Sequence, residues 1–478
     1  MQYDQRLALR EAASLKLAPD KVFVGQFVID QSDKPPFEGY LSHDLSDWWL
    51  HFCPSLDLCV VKDGSGQPFG AILGIALNDA GQHLAGEVVV TLHQGETLMD
   101  AMERLIASLT GRYIAVTRGK AAPFVYTDAV GEMAVVYDTR TGVTGSTLPL
   151  TLTRDIIDRG DIDHRAVMES PGHYALGYTR DAHCERLLPN HRLDLAQITQ
   201  ARFWPRDDVP WLAASELAFD DMIDELLAIL RRNTVGFLQT KPSVFPLSGG
   251  QDSRILITAA RDHVHLAKAI FGMHHNWASG RDCDVGAEVA ARMGLDYRRI
   301  SAPGPRKWGR RAFHTRVGYA VNSGGMNSVT HTALLPEGHL VIRGNVMGLT
   351  RANDWGRGLR PRPWDDASFG IARLLMGEAV DPAQRPDDLE RRYLDWRASL
   401  PGTVKYRSHD LSFCENYLPN SLGARNYAYT NVTHVNPFAS RRVIALVSAV
   451  DPQLRKNNRI NNRLLEISAP DLADIRLV

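Results

Sequence analysis

The sequence predicts an α/β protein of two parts: a β-rich N-terminal domain, residues 1–210, and a C-terminal domain, residues 211–478, built on a doubly wound parallel sheet. Three observations predict this class. Short runs rich in β-branched and aromatic residues fill residues 20–150. Strand and helix patterns alternate after about residue 210. A glycine-rich turn near residue 248 joins an apolar strand to a helix.

Composition and length bound the class of protein. A length of 478 residues accommodates two or three domains, and 44% hydrophobic with 23% charged residues is typical of a globular protein with a sizeable core. The formal net charge of -1 argues against a dedicated nucleic-acid-binding protein, whose binding domain is usually basic. We see no apolar run long enough to span a membrane and no hydrophobic signal core near the start. We therefore expect a cytoplasmic protein that binds neither nucleic acid nor membrane.

The cysteines are sparse and odd in number, and they lack the spacing of zinc ligands. This pattern does not suggest a disulfide framework, so we expect free thiols. They are Cys53, Cys59, Cys184, Cys283 and Cys414.

The N-terminal domain is predicted to be mainly strands, punctuated by Gly, Asp and Asn. One amphipathic helix is expected over residues 98–109. Residues 124–126 and 133–137 predict a hairpin around the turn at 127–131. The other predicted strands are residues 22–29, 58–61, 86–91 and 112–116.

The pattern changes near residue 205. Residues 204–210 have the composition of a linker, and Ser215 is a candidate N-cap for a helix over residues 216–232, whose apolar residues fall on one face. Strand and helix patterns then alternate, and the chain from about residue 365 is mainly helical. We place the domain boundary at about residue 210.

Residues 243–260, SVFPLSGGQDSRILITAA, form the most specific motif of the chain. An apolar strand leads into the turn SGGQDS, and a helix follows from residue 254. Two glycines let the backbone approach a phosphate with no Cβ in the way, and the helix N-terminus presents positive partial charge to an anion. The predicted nucleotide-binding residues of this motif are Leu247, Ser248, Gly249, Gly250, Gln251, Asp252 and Ser253.

Asp252 is the acidic residue of the turn. It is our candidate catalytic residue and metal ligand, since a carboxylate can hold a Mg²⁺ that bridges phosphate oxygens. The turn lacks the lysine and the spacing of a Walker A motif. It therefore suits pyrophosphate release with adenylation better than transfer of a γ-phosphate, and we expect ATP and Mg²⁺ as cofactors.

The next strand, residues 267–273, is expected where an adenine would rest, outside the carboxyl ends of the strands. Its residues Phe271, Gly272 and Met273 are candidate contacts to the base, although Phe271 could equally pack in the core. His274 and His275 follow in a loop, with no further ligands at metal-binding spacing. Residues 281–294 predict a helix, capped by its first or second aspartate.

Several segments resemble the asparagine synthetase family, which includes β-lactam synthetase and lasso-peptide cyclases. SGGQDS is similar to that family's PP-loop, and residues 282–300, DCDVGAEVAARMGLDYRRI, are similar to its following helix and strand. Residues 436–455, NPFASRRVIALVSAVDPQLR, resemble its late helix. Residues 128–137 and 187–205 resemble parts of its N-terminal domain. The likeness covers most of the chain from residue 111 onward, and SGGQDS alone is individually specific.

The resemblance implies an N-terminal Ntn-hydrolase-like sandwich followed by a PP-loop ATP pyrophosphatase domain. It also implies ATP, Mg²⁺, an acyl-adenylate and attack by an amine. In glutamine-dependent members a cysteine follows the initiator methionine and is the nucleophile, whereas this chain has Gln2. We therefore expect a degenerate glutaminase domain, with the amine supplied as ammonia or by an acceptor molecule.

A second departure falls at residues 341–355, VIRGNVMGLTRANDW, where the family carries a second acidic, metal-binding loop. Gly344 fits and is a candidate nucleotide-binding residue, but Arg343 replaces an expected residue and no acid precedes Asp354. Arg343 and Arg351 would bind phosphate as guanidinium forks, and Arg343 would partly replace the charge of the metal as a catalytic residue. The alternative is that these arginines make structural ion pairs.

The family's late catalytic lysine should fall in residues 455–465, RKNNRINNRLL, where Lys456 is the candidate and Arg459 is nearby. Thr433 and Val435 stand where the family has acidic and arginine residues. These changes argue against aspartate as the substrate.

The sequence thus predicts an ATP-dependent, AMP-forming carbon–nitrogen ligase that joins a small-molecule or peptide carboxylate to an amine, in a chain that could form a homodimer. The alternative is a nucleotide-binding pseudo-synthetase, and the two differ in whether an acid such as Asp354 reaches Asp252. Adenylation for sulfur insertion is a weaker third alternative, because no paired catalytic cysteines are found. Arg425, Tyr427 and Tyr429 either line an acceptor pocket or pack in the core.

Overall fold

The structure, a computed structural model, describes residues 6–118, 123–169, 173–207, 219–304, 307–356, 360–375 and 386–478. The predicted domain boundary near residue 210 and the proposed cap Ser215 lie outside these ranges. Within them, no helix is long and apolar enough to cross a membrane. All five cysteines are buried and free, as predicted.

Two sheets make up most of the N-terminal part. The helices of this part are α1 (Leu7–Leu15), α2 (Pro19–Val22), α3 (Leu98–Ser108), α4 (Leu148–Thr151) and α5 (His164–Glu169). The strands are β1 (Phe27–Asp30), β2 (Leu41–Asp44), β3 (Trp49–Phe52), β4 (Leu58–Lys62), β5 (Pro68–Leu77), β6 (Gly86–Val89), β7 (Thr110–Thr117), β8 (Phe124–Thr127), β9 (Val136–Asp138), β10 (Thr144–Gly145), β11 (Cys184–Arg186), β12 (His191–Asp194) and β13 (Thr199–Arg202).

One sheet has the strand order β11-β9-β10-β1-β3-β2 and is antiparallel. The other has the order β13-β12-β8-β7-β5-β4-β6, in which β4 and β6 run parallel and the remaining neighbours antiparallel. One apolar cluster takes buried side chains from both sheets, among them Ile29 and Leu50 from the first, and Leu73 and Ile114 from the second. The two sheets therefore pack on each other as a sandwich.

The predicted hairpin over residues 124–137 is wrong. Strand β8 belongs to one sheet and β9 to the other, so the chain between them crosses the sandwich. The buried carboxylate of Asp128 explains the crossing, because it accepts the N–H groups of Val130 at 3.1 Å, Glu132 at 2.9 Å and Met133 at 2.8 Å. These bonds satisfy the connecting backbone in place of ladder bonds between paired strands.

The predicted strand over residues 22–29 is shorter in the structure. Helix α2 ends at Val22, Gly25 has φ 66°, and β1 begins at Phe27. A left-handed glycine interrupts an extended run, so the apolar residues before it could not continue the strand. The predicted helix over residues 98–109 is confirmed as α3, and Thr97 caps it through a capping box with Asp100.

A parallel sheet forms the centre of the C-terminal part, which confirms the predicted mixed α/β class. Its strands are β14 (Ser243–Pro246), β15 (Ala269–Met273), β16 (Tyr297–Ile300), β17 (His339–Ile342) and β18 (Val432–Val435). Their order is β16-β15-β14-β17-β18, and all neighbours are parallel. The first strand along the chain is thus central, with later strands on both sides, and the order reverses between β14 and β17. Such a reversal opens a crevice at the carboxyl ends of the strands.

Helices cover this sheet and fill the rest of the C-terminal part. They are α6 (Phe219–Thr240), α7 (Gln251–Ala259), α8 (Trp277–Arg292), α9 (Lys307–Arg316), α10 (Met326–Thr332), α11 (Ala367–Leu374), α12 (Leu389–Ala398), α13 (Ser408–Ser412), α14 (Arg441–Ala449), α15 (Pro452–Lys456) and α16 (Arg459–Ser468). The predicted helix over residues 216–232 is α6, which continues to Thr240 because its apolar face stays buried through Leu238.

The two parts share one hydrophobic core. The largest apolar cluster joins Ile72 and Tyr113 of the N-terminal sandwich to Leu226 of α6 and Val443 of α14. A second meeting point is backbone against backbone: a Cβ added to Gly423, in the π-helical segment Pro419–Ala424, would overlap the carbonyl oxygen of Gly131. The relative position of the two parts is therefore fixed by packing.

Candidate functional site

The turn SGGQDS lies at the carboxyl end of β14, the central strand. Its two serines hold it in shape: the Ser253 hydroxyl accepts the N–H of Ser248 at 3.1 Å, and the two hydroxyl oxygens are 3.1 Å apart. The N–H of Gly250 lies 3.3 Å from the Ser248 hydroxyl, which accepts it. The turn is therefore closed by its own hydroxyl groups before any ligand is considered.

Gly249 needs its lack of a side chain for packing. A Cβ there would stand 2.8 Å from Cγ2 of Val478 and 3.1 Å from Cβ of Val285. The N–H of Gly249 donates to the Asp282 carboxylate at 2.8 Å. This role of Asp282 was not predicted. The predicted aspartate cap of α8 is wrong, because α8 begins earlier, at Trp277, and Asn276 caps it by accepting the N–H of Ser279.

The first turn of α7 is the part of the motif that remains open to an anion. Gly250 is the N-cap residue, and no side chain caps the helix. N–H groups in the first turn of a helix have no partner within the helix, and the helix dipole favours negative charge there. Since Ser248, Gly249 and Gly250 already donate elsewhere, the first turn of α7 supplies the remaining donors.

Asp252, the candidate catalytic residue and metal ligand, stands in this first turn. Both of its carboxylate oxygens accept hydrogen bonds from Arg351, one of them at 2.9 Å from Nη2. The two side chains are 27% and 31% exposed. The sequence is compatible with either phosphate binding or a structural ion pair for Arg351. The structure gives Arg351 an ion pair beside the turn.

The strand end of β17 lies directly against the same helix turn. A Cβ added to Gly344 would stand 3.0 Å from Cβ of Asp252, so only glycine lets the two segments approach this closely. The side chain of Arg343 turns to His434, with Nη1 donating to Nδ1 at 3.1 Å, and its backbone N–H donates to Val435 at 2.9 Å. Gly344 thus packs against the first turn of α7, whereas the contacts of Arg343 are to His434 and Val435.

The proposed adenine strand is closely packed. Leu247 and Phe271 are buried, and the N–H of Leu247 donates to the Phe271 carbonyl at 2.8 Å. A Cβ on Gly272 would overlap the hydroxyl of Tyr297. Of the three candidate base contacts, Met273 alone is part-exposed, at the carboxyl end of β15. Phe271 therefore lies in the core, as its alternative interpretation had it.

Lys456 and Asp354 form a separate group. The Lys456 ammonium donates to the carbonyl of Gly356 at 2.5 Å, and burial lowers the pKa of Lys456. Asp354 pairs with Arg373 at 3.2 Å, and burial raises its pKa to about 6. Asp354 and Asp252 thus belong to different ion pairs, and the hydrogen bond of Lys456 is to Gly356 and not to the turn SGGQDS.

A cluster of amides ties the turn to the last long helix, and the sequence analysis did not single it out. The Gln251 oxygen accepts from Asn458 at 2.7 Å and from Asn461 at 3.3 Å, and its nitrogen donates to Asn462 at 3.2 Å. The NNRINN spacing was the available signal, because asparagines three and four residues apart meet on one helix face. The start of α7 is therefore anchored to α16.

Among the described residues, no set of three or more His, Cys, Asp or Glu side chains is placed so that it could hold a metal ion. His274 and His275 follow β15 in the expected loop. The ring of His331 stands 5.8 Å from that of His275, and its Nε2 lies 3.0 Å from the His274 carbonyl oxygen.

Comparison with known proteins gives no assignment: neither the models of known protein families nor the curated protein sequences contain a match to this chain. The site itself has three elements: an uncapped helix start, a glycine turn at the point where the strand order reverses, and two arginines, Arg343 directly after β17 and Arg351 paired with Asp252. This combination is suited to an anionic ligand such as a nucleotide phosphate.

Proposed function

We propose that the chain is an ATP-dependent synthetase that activates a carboxylate as an acyl-adenylate and transfers the acyl group to an amine. The observation that carries the proposal is the turn SGGQDS at the carboxyl end of β14, next to the reversal of strand order between β14 and β17. In open parallel sheets this is where nucleotides bind. An uncapped helix start at the same place supplies the N–H donors that a phosphate needs.

The proposed reaction has two steps. An oxygen of the substrate carboxylate attacks the α-phosphorus of ATP, the bond to the β-phosphate bridging oxygen breaks, and pyrophosphate leaves. A neutral amine then attacks the acyl carbon, AMP leaves with its bonding electrons, and the nitrogen loses a proton. The products are an amide, AMP and pyrophosphate. The chain's contribution is to orient the phosphates and to offset the charge that develops on them.

Two arginines are suited to that electrostatic task. Arg351 already bonds Asp252 with both of its terminal nitrogens, and Arg343 lies one residue before Gly344, which packs on Asp252. A guanidinium fork matches the geometry of phosphate oxygens. We propose that Arg351 exchanges its bond with Asp252 for a bond with the nucleotide phosphates.

The residues around Asp252 do not form a complete metal site by themselves. Both oxygens of Asp252 accept from Arg351, and the described residues contain no set of three or more His, Cys, Asp or Glu side chains that could hold a metal ion. Mg²⁺ is usually held by one or two carboxylates together with substrate phosphates and water. Asp252 is the residue that would hold such an ion, and the ion would supply charge neutralisation at the phosphates.

We propose a source of the amine other than glutamine. The resemblance to glutamine-dependent synthetases would require a cysteine where this sequence has Gln2, and glutamine has no thiol. We propose that the N-terminal sandwich is a degenerate Ntn-hydrolase-like domain, that the C-terminal part is a PP-loop synthetase domain, and that the amine is ammonia or an amino group of an acceptor molecule.

The pairing of Asp252 with Arg351 favours a second candidate. A nucleotide-binding pseudo-synthetase would keep the turn SGGQDS for binding and lose adenylation, because an arginine stands where a metal would be needed. The two candidates differ in one property. The synthetase releases pyrophosphate in a carboxylate-dependent reaction, and the pseudo-synthetase binds ATP without releasing it.

The test measures ATP binding by calorimetry and pyrophosphate release by a coupled assay, with Mg²⁺ and ammonium, across a panel of carboxylates. Carboxylate-dependent release is the expected result. ATP binding without release from every panel member would favour the pseudo-synthetase. A chain that does not bind ATP would refute both candidates.

A further inference from the structure

A group of cationic and imidazole side chains lies beside the nucleotide turn, and the activity proposed above does not use all of it. We call this group the cationic cluster. Its members come from β17, β18, the segment after the π-helix and the loop before β11. They are His173, Arg343, Arg425 and His434.

His434 has an unmet donor. A guanidinium can only donate, so in the 3.1 Å bond from Arg343 the Nδ1 atom of His434 must be the acceptor. Burial, followed by the charges of Arg343 and Arg112, lowers the pKa of His434 well below its usual value, so the ring is neutral. The proton of a neutral ring then sits on Nε2, which is buried without a hydrogen-bond partner in the described part of the chain.

Arg425 carries a charge without a counter-charge. Its side chain packs across Gly325, where a Cβ would overlap Cδ and Nε. No acidic side chain pairs with it among the described residues, and its Nε is buried without a partner. Burial lowers the pKa of Arg425, and repulsion from Arg343 adds to this effect. Arg343 is therefore close enough to Arg425 for the two positive charges to repel each other.

His173 completes the cluster. It is 7% exposed, and its Nε2 is buried with no hydrogen-bond partner in the described residues. Burial, and then the charge of Arg425, lowers the pKa of His173 to about 4, so this ring is also neutral at pH 7. Its ring stands edge-on to Tyr417 with centroids 5.0 Å apart.

The cluster is linked to the nucleotide turn through the chain at Arg343. On its other side, the ring of Tyr429 lies 3.8 Å from that of His434, and its hydroxyl is 3.1 Å from that of Ser328. Arg343 precedes Gly344, which packs on Asp252. A molecule bound at the cluster would therefore lie next to the ATP site.

Glu132, an acidic residue within electrostatic reach of Arg343, does not neutralise the charge of the two guanidinium groups. Glu132 is buried, its Oε2 has no hydrogen-bond partner in the described chain, and neither arginine bonds it. Burial, and then repulsion from Asp128, raises the pKa of Glu132 well above its usual value. Two partly buried guanidinium groups without a paired anion are costly, and a bound anion would remove that cost.

We propose that the cationic cluster binds one carboxylate of a dicarboxylic acid that carries no ammonium group, and that the other carboxylate is the one activated at the turn SGGQDS. This proposal rests on the synthetase activity proposed above. Arginines match carboxylates in a two-point geometry, and Nε2–H of His434 adds a donor. An amino group would be repelled by the two guanidinium groups, and Glu132, whose raised pKa keeps it protonated, would not attract it.

The test measures binding of succinate, glutarate, L-aspartate and butyrate to the full chain by calorimetry, with ATP titrated separately. The matched variants are Arg425→Gln and Arg232→Gln. Arg232 in α6 is a suitable control, since it is also part-exposed, packs against a glycine, Gly81, and has an unpartnered Nε and no ion pair among the described residues.

We expect succinate or glutarate to bind about tenfold or more tightly than aspartate and butyrate, and Arg425→Gln to weaken this binding about tenfold or more while Arg232→Gln changes it less than about twofold. If Arg425→Gln does not fold, Arg425→Lys keeps the charge but loses the fork, and should still weaken binding several-fold.

Equal binding of aspartate or butyrate, no binding of either dicarboxylate, or equal effects of the two substitutions would overturn the proposal. ATP binding without dicarboxylate binding would refute the cluster and spare the nucleotide site. Dicarboxylate binding without ATP binding would refute the synthetase and spare the cluster as an anion site.

Discussion

Two aspartate–arginine pairs in the C-terminal part have the same two-point geometry and different surroundings. Arg455 donates to Asp410 at 2.6 and 2.9 Å, and both side chains are at most 1% exposed. Arg351 donates to both oxygens of Asp252, and these side chains are about a third exposed. One pair is enclosed by protein, and the other stands at the candidate site.

The remaining partners show what the difference means. Asp410 also accepts from the indole N–H of Trp355 at 2.8 Å, and Arg455 donates to the carbonyls of Leu349 at 3.0 Å and Val450 at 3.1 Å. Both members of the buried pair therefore make further hydrogen bonds within the fold. In the described part of the chain, no further side chain bonds the Asp252–Arg351 pair, so its bonds can be exchanged for a ligand.

The largest expected effect is on the buried pair. Asp410→Ala leaves the Arg455 charge buried without a counter-charge, and should lower the free energy of unfolding by about 3–5 kcal/mol. Urea denaturation measures it. Asp220→Ala, which removes an exposed partner of Arg463, is the control and should change stability by less than about 1 kcal/mol. A loss below about 1 kcal/mol for Asp410→Ala would remove the distinction between the two pairs.

Asp252→Ala should strongly affect the reaction and hardly affect stability. We expect carboxylate-dependent pyrophosphate release to fall about a hundredfold or more, since a charged group at the reacting phosphates is lost, with little change in unfolding. Glu225→Gln, which removes a part-exposed partner of Arg442 on the surface, serves as the control. Unchanged pyrophosphate release in Asp252→Ala would refute the catalytic and metal roles of Asp252.

The pH dependence of the free energy of unfolding tests the buried environment of Asp354. Burial raises its pKa to about 6 from 3.8, and the nearby Asp410 charge contributes. The folded chain holds a proton that the unfolded chain releases between these values, so the free energy of unfolding falls as pH rises from about 4 to about 6, by up to about 3 kcal/mol. Asp354→Asn should flatten this slope in urea denaturation. Parallel pH profiles for the two chains would contradict the raised pKa.

The smallest effect is expected at Arg351. Arg351→Met removes a part-exposed pair and should lower the free energy of unfolding by less than about 1 kcal/mol, with a smaller change at high salt. ATP affinity should fall in the same variant, because the proposed phosphate contact is gone. A large loss of stability with unchanged ATP affinity would make this pair structural, like that of Asp410.

The sequence predicted what local signals encode. Strand β14, the glycine turn and α7 were predicted from an apolar run, two glycines and a helical pattern that lie next to one another in the chain, although α7 begins at Gln251 and not at the predicted residue 254. Strand β15 and the free cysteines were predicted on equally local or compositional grounds. The mixed α/β class followed from the alternation of these patterns.

The remaining features depend on contacts that no local pattern contains. Arg351 meets Asp252 across 99 positions of sequence, and Asp282 meets Gly249 across 33. The false hairpin over residues 124–137 has the same cause, since residues rich in strand formers are divided between two sheets that only the folded chain defines. The cap of α8 was misplaced because the helix begins at Trp277, so Asp282 lies inside the helix and Asn276 is the N-cap residue.

The contact of Gly423 with Gly131 limits how this molecule can change. Even alanine, the smallest substitution, would have to push two layers of backbone apart. The N-terminal sandwich thus fixes the position of the π-helical segment, and through that segment the position of the neighbouring Arg425. Removal of the sandwich should therefore disrupt the structure of the C-terminal part, whether or not the sandwich itself catalyses a reaction.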